Sequence, residues 1–293
     1  QQYVADHHSY LATMGVALGA AGALAMLPGR AFQAAAVAAT LALGALARAQ
    51  VPVWRDSVSL WTHTLAGSPN SVVAHNNLGE SLAAAGRLEE AIPHFERAVA
   101  IKPKHAHAHY NLGQARQKQG NLEAAARHFE DALSAEPGFA AAHNDLGNCY
   151  ARLGRAEEAE RHYREALRHR PQFADAHYNL ANLLQRKRQL EQAIAHYEQA
   201  LREKPGYADA HNNWGVALDA LGRAAEAQLH YRQALVLDPQ NADAHNNLGV
   251  SLEQAGKADQ ALRHYQEALR WNPAHTDAAA NLTRLQRQRQ TSR

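Results

Sequence analysis

Residues 208–241 read ADAHNNWGVALDALGRAAEAQLHYRQALVLDPQN, and residues 242–275 read ADAHNNLGVSLEQAGKADQALRHYQEALRWNPAH. The second stretch is the first displaced by 34 positions, with small, aromatic and proline residues at matching stations. Working outward, the frame also starts at Val72, Ala106, Ala140 and Ala174, so six units occupy 72–105, 106–139, 140–173, 174–207, 208–241 and 242–275. Station 8 reads Gly79, Gly113, Gly147, Ala181, Gly215, Gly249. Stations 20 and 27 are alanine in every unit, from Ala91 and Ala98 to Ala261 and Ala268. Station 24 is aromatic throughout (Phe95, Phe129, Tyr163, Tyr197, Tyr231, Tyr265), and station 32 is proline from Pro103 to Pro273.

These residue types specify two antiparallel helices per unit. Small residues at 8, 20 and 27 let the helices approach closely, and the aromatic fills the space left between them. Gly86, Gly120, Gly154, Gly222 and Gly256 stand where the first helix must end in a left-handed residue. The fourth unit has Arg188 there, which predicts an altered turn. The proline ends the second helix and starts the link onward. One such pair cannot bury its own apolar face, whereas stacked pairs can, and the stack twists so that one side is concave.

The 34-residue period and its stations resemble the tetratricopeptide repeat (TPR) family. The resemblance implies an all-α superhelical solenoid whose first helices line the concave face, with stations 2, 5, 6, 9, 12 and 13 pointing inward. Both flanks suit that reading. Residues 51–71 read as a degenerate half repeat, with Trp61 and Pro69 in the aromatic and proline places. Residues 276–293 read as a capping helix and tail, polar through Arg284, Arg287 and Arg289.

Station 6 is the most informative of the inward ones: Asn77, Asn111, Asp145, Asn179, Asn213, Asn247, and Asn281 in the cap. An amide offers a donor and an acceptor together. Adjacent first helices lie on the order of 10 Å apart, and an extended chain advances about that far in three residues. A row of asparagines can therefore hold a peptide backbone whatever its sequence. The runs at 208–213 and 242–247 resemble the repeats of O-GlcNAc transferase, where the resemblance implies an asparagine ladder holding substrate peptide. Asp145 departs from that pattern and interrupts the third rung. The alternative is that these residues pad helix packing. Station 9 adds Gln114, Asn148 and Asn182, and station 13 a basic row, Lys118, Arg152 and Arg186. Station 2 adds an acidic row, Asp175, Asp209, Asp243 and Asp277, so a ligand acidic in its middle and basic at one end suits the face, the alternative being that both rows are solvated charges.

The first fifty residues differ in kind. Tyr10–Leu27 is 18 residues without a charge, and Ala31–Ala47 is nearly as apolar, with Pro28-Gly29-Arg30 between them. Each is about 25 Å long as a helix, close to the hydrocarbon thickness of a bilayer. Residues 1–50 are thus expected to form a transmembrane helical hairpin, the alternative being two alanine-rich helices packed on protein. Arg30 in the loop favours a cytoplasmic loop, with the repeats periplasmic or extracytoplasmic; Arg48 and Arg55 pull towards a cytoplasmic location. The stretch from Ala5 to Leu11, the hairpin, and Val53-Trp54-Arg55-Asp56-Ser57 through Trp61 resemble the junction of transmembrane-and-TPR proteins. Those carry a glycosyltransferase-like membrane region ahead of their repeats. The motif Asp-Arg-Tyr of that family is Asp6-His7-His8 here.

Composition excludes several functions. Lys plus Arg total 30 against 28 Asp plus Glu, which leaves no cationic surplus for a general nucleic-acid binder. The single cysteine, Cys149, builds neither a disulfide nor a Cys-based zinc site within one chain. No nucleophile elbow, phosphate loop, HExxH or CxxC is present, so no catalytic residue and no cofactor is expected. Twelve of the 19 histidines fall at stations 4 and 23. None has another of them three or four residues away on its helix, so packing between helices is expected rather than metal binding. Three roles follow: a scaffold for a protein or peptide partner, the substrate-recognition arm of a membrane-bound glycosyltransferase-like protein, or a self-associating solenoid of undetermined oligomeric state.

Overall fold

The structure, a computed structural model, describes residues 33–42 and 56–291 and the single positions 19, 23 and 29. Among the described residues the regular structure is helical, with no strand. The chain divides into two compact units, Gln1–Pro103 and Lys104–Arg293.

The first unit contains a helical segment at 33–42, then α1 (Ser57–Gly67), α2 (Val72–Ala84) and α3 (Leu88–Ile101). Asp56 caps α1 by accepting from the Ser59 N–H at 2.8 Å, and Ser71 caps α2 by accepting from Ala74 at 3.3 Å. Residues 1–50, the expected membrane hairpin, lie mostly outside the described residues. Among those described, no helix is long and apolar enough to cross a membrane.

The second unit runs α4 (Ala106–Lys118), α5 (Leu122–Ala135), α6 (Ala140–Arg152), α7 (Ala156–His169), α8 (Ala174–Arg186), α9 (Leu190–Glu203), α10 (Ala208–Ala220), α11 (Ala224–Leu237), α12 (Ala242–Gln254), α13 (Ala258–Trp271) and α14 (Thr276–Thr291). Each first helix packs on its own second helix, and each second helix on the next first helix. First helices also approach their counterparts in the next pair within 8 Å between Cα atoms: α4 to α6, α6 to α8, α8 to α10, α10 to α12 and α12 to α14. No two second helices of this unit come that close. The first helices are therefore crowded together on the inner side of a curved stack.

The packing shows why station 8 is small. A Cβ built on Gly147 would lie 2.6 Å from the Tyr163 ring, and one on Gly215 2.5 Å from Tyr231, so the aromatic rests directly on the glycine backbone. The alanines at stations 20 and 27 are completely buried in all six repeats, as are those at station 3 from Ala74 to Ala244. The turn at Arg188 is not altered. Arg188 adopts φ 63°, against 76° for Gly154, and closes the same two bonds, Arg188 N–H to Gln185 O and Gln189 N–H to Leu184 O. Those two bonds and the packing on either side hold a non-glycine residue in the left-handed region, at about 1–2 kcal/mol of local strain.

Candidate peptide-binding groove

The asparagine station begins from a helix-level constraint. Stations 5 and 6 of one helix face the neighbouring first helices, so an amide at station 6 reaches station 5 of the preceding repeat, 35 residues earlier. Asn179 Nδ2 donates to Asn144 Oδ1 at 2.9 Å, Asn247 Nδ2 to Asn212 Oδ1 at 3.0 Å, and Asn281 Nδ2 to Asn246 Oδ1 at 3.0 Å. Where station 5 is tyrosine the geometry is kept: Asn213 Nδ2 donates to Tyr178 Oη at 3.1 Å, and Tyr110 Oη donates to Asp145 at 2.9 Å. Within a repeat, station 5 donates back to station 6, as Asn212 does to Asn213 at 3.1 Å and Asn144 to Asp145 at 3.1 Å. The result is a hydrogen-bonded rail along the inner helices, each rung of which stabilises by about 1 kcal/mol.

The station-6 residues are half-buried, and Asn77 and Asn111 belong to different units. Asp145 accepts from Tyr110, from Gln114 at 3.2 Å and from Asn144, so both of its carboxylate oxygens are engaged. Burial raises its pKa, opposed by those three donors. Station 9 is drawn towards the aromatic station: Asn148 Oδ1 accepts from Tyr163 Oη at 2.8 Å and Asn182 Oδ1 from Tyr197 Oη at 2.7 Å. The acidic row is tied to links between repeats. Asp175 lies 3.9 Å from Lys204 Nζ, Asp209 accepts from Asn241 at 3.4 Å, and Asp243 lies 3.2 Å from His275 Nε2. Lys118, Arg152 and Arg186 are exposed.

Two recesses lie along this face. One, of about 350 Å³, is lined by Gln117, Asn148, Arg152, Tyr163, Asn179, Asn182 and Arg186. The other, of about 410 Å³, shares Asn182 and Arg186 with it and continues past Asn213 and Asn247 to Asp243 and Asp277. The structure thus brings Asn179, Asn213 and Asn247 of the amide row, Arg152 and Arg186 of the basic row, and Asp243 and Asp277 of the acidic row onto one continuous surface. Station 5 was missed in the sequence as a set of bonding residues, because its alternation of asparagine and tyrosine hides that both supply a polar atom at the same reach.

The histidines meet across stations. His177 Nδ1 lies 2.9 Å from His196 Nδ1, and the same contact measures 3.1 Å for His75 and His94, 3.0 Å for His143 and His162, 3.1 Å for His211 and His230, and 3.0 Å for His245 and His264. The Nε2 atoms of His75, His143, His177 and His245 contact a proline carbonyl, for example Pro171 O at 2.9 Å and Pro137 O at 3.1 Å. A carbonyl only accepts, so that Nε2 carries the proton, its Nδ1 is the acceptor, and the station-23 ring is the donor. The station-4 ring is therefore neutral where that contact forms, and burial beside it disfavours charge on the station-23 ring. Burial first, and the partner ring second, push His162, His196, His230 and His264 down to about 4.

Comparisons with known proteins agree with this construction. Models of the tetratricopeptide repeat match residues 70–135, 110–172, 152–208, 178–229 and 242–275, and a TPR repeat model matches 217–256. No curated protein sequence matches the chain. Among solved structures, the APC/C hetero-tetramer Cut9-Hcn1 superposes with a TM-score of 0.68 at 18% identity over 77% of this chain, which spans 45% of the length of that one. The TPR protein YrrB, described as having an unusual peptide-binding site, gives 0.54 at 25% identity over 64% of this chain and 96% of its own. PilF of Pseudomonas aeruginosa gives 0.65 at 21% identity over 73% of this chain and 97% of its own. With the repeat models covering most of its length and helix pairs stacked in that register, the chain belongs to the tetratricopeptide repeat family.

Proposed function

We propose that the chain is a protein-interaction scaffold whose second unit holds an extended stretch of a partner polypeptide along α6, α8, α10 and α12. An acidic side chain of that stretch sits between Arg152 and Arg186. The observation that carries this reading is the recess in which two exposed guanidinium groups stand over Asn148, Asn179 and Asn182. Guanidinium forks suit a carboxylate, and the amide floor suits the main chain beside it. The Asn179 and Asn247 amides each have two N–H groups and spend one on the preceding repeat, which leaves the other for a ligand carbonyl, whereas Asn213 spends both, on Tyr178 and Asn182. Towards Asp243 and Asp277 the same surface favours a basic residue. The likeness to YrrB supports a peptide as the ligand class. The apolar stretches at 10–27 and 31–47 support placing the scaffold beside a membrane; in the described part of the second, Val37 and Leu41 stand 59% and 68% exposed.

Changing the asparagines is a poor test, because Asn179, Asn213 and Asn247 also bind repeat to repeat. Arginine is the better handle. Fluorescence anisotropy with a panel of labelled extended peptides, identical except for a central Glu, Gln or Lys, is expected to rank Glu first. The double variant Arg152→Ala, Arg186→Ala is expected to weaken the Glu peptide by more than tenfold and to flatten its salt dependence. A panel indifferent to the central residue, or a double variant that binds as well as the parent, removes the proposal.

A further inference from the structure

Five of the six histidine pairs are closed on themselves, and the second repeat is the exception. Its rings, His109 and His128, have centroids 5.7 Å apart, whereas the closed pairs lie at 5.2–5.4 Å. Both Nδ1 atoms turn to one carboxylate oxygen instead: His109 Nδ1 stands 3.5 Å and His128 Nδ1 3.9 Å from Asp131 Oδ2. The three ligand atoms lie within 4.8 Å of one another. His128 Nδ1 is buried and forms no hydrogen bond within the protein.

The sequence explains why this happens only here. Asp131 occupies station 26, where the other repeats have Arg97, Glu165, Gln199, Gln233 and Glu267. The two glutamates are engaged by the arginine three residues on, Glu165 by Arg168 at 2.7 Å and Glu267 by Arg270 at 3.4 Å. Three residues after Asp131 stands Ser134, so no arginine draws this carboxylate away.

We propose that His109, His128 and Asp131 form a binding site for a borderline divalent transition cation, of which Zn²⁺ is the type. Two imidazole nitrogens and one carboxylate oxygen are a donor set for such ions, whereas Ca²⁺ and Mg²⁺ prefer oxygen throughout. Bonds of about 2.0–2.2 Å in a tetrahedron set ligand atoms roughly 3.3–3.5 Å apart, so the two histidine–carboxylate spacings, 3.5 and 3.9 Å, need to contract by only a few tenths of an ångström. The Asp131 side chain is 56% exposed, which gives the ion a path from solvent and leaves the fourth position to water. The ligands come from α4 and α5, so a bound ion staples the two helices of one repeat. Within a single helix these histidines find no histidine partner at ligand spacing; the site instead joins a histidine on α4 to an i, i+3 His–Asp pair on α5.

Co²⁺ added to the metal-free full chain tests this. The expected result is a tetrahedral visible absorption band saturating at one equivalent and displaced by Zn²⁺. One equivalent of Zn²⁺ should also raise the thermal midpoint. Asp131→Asn, at an exposed position, should keep the helical circular dichroism, weaken Co²⁺ at least tenfold and abolish the Zn²⁺ rise; His128→Gln should do the same. The absence of a stoichiometric band, or equal affinity in Asp131→Asn, overturns the proposal. So does a band lost in Glu165→Gln instead, since His143, Glu165 and His169 are also close enough to share an ion.

Discussion

Two polar rows run through this molecule with the same 34-residue period, and they behave oppositely. The amide rail on the first helices faces the groove, is half-buried, and bonds one repeat to the next. The histidine seam lies between the first and second helix of a single repeat, and in every repeat but the second its two rings satisfy each other. Equal periodicity in a sequence therefore does not mean equal exposure or equal purpose. What separates the rows is which neighbour each station meets: another first helix at the concave face, or the second helix behind it.

Acid separates the two rows most strongly. The depressed values of about 4 for His162, His196, His230 and His264 mean that the unfolded chain, with ordinary histidines near 6.5, binds more protons than the folded one between these limits. Their stabilisation is therefore complete above about pH 6.5 and is lost as the pH falls towards 4. Arg161, Glu165 and Glu158 modulate His162; Arg164 faces His196, Glu226 faces His230, and Arg232 and Glu267 face His264. The loss is on the order of 1 kcal/mol per pair at pH 5.5, so several kcal/mol for the seam as a whole. Thermal midpoints by circular dichroism should fall by many degrees between pH 8 and pH 5, with the groove row contributing little. Equal midpoints across that range contradict the neutral-pair assignment.

A single break in the seam is smaller. His196→Ala leaves the inward His177 Nδ1 without its donor and should destabilise by about 2 kcal/mol, read as a lower urea midpoint at pH 8. At pH 5 the penalty should shrink, because the substituted pair no longer resists protonation. The amide rail should respond less still. Asn247→Ala removes one bond to Asn212 from a half-buried site and is expected to cost about 1 kcal/mol at both pH values. A pH-dependent loss for Asn247→Ala would put the two rows in the same class after all.

How much could be read in advance differs between fold and site. The helices were legible because Gly147 beneath Tyr163, the alanines and the prolines each act locally, and six copies repeat the message. The arginine at 188 was legible as an oddity, yet the turn kept its shape because packing on both sides outweighs a local strain of about 1–2 kcal/mol. The pairing of His177 with His196 was not legible: 19 positions separate them, and only the antiparallel packing of α8 on α9 sets the rings nose to nose. The same holds for Asn179 reaching Asn144, and for Asp131 opening the second pair.

By itself the sequence determined that the chain builds helical pairs of fixed length that must stack, since small, aromatic and turn residues act on the backbone beside them and on the adjoining helix. Only the tertiary structure decided what each polar row does. A hydrogen bond or a ligand set depends on distances of a few tenths of an ångström between side chains from different helices, and that precision exists only once the stack has closed.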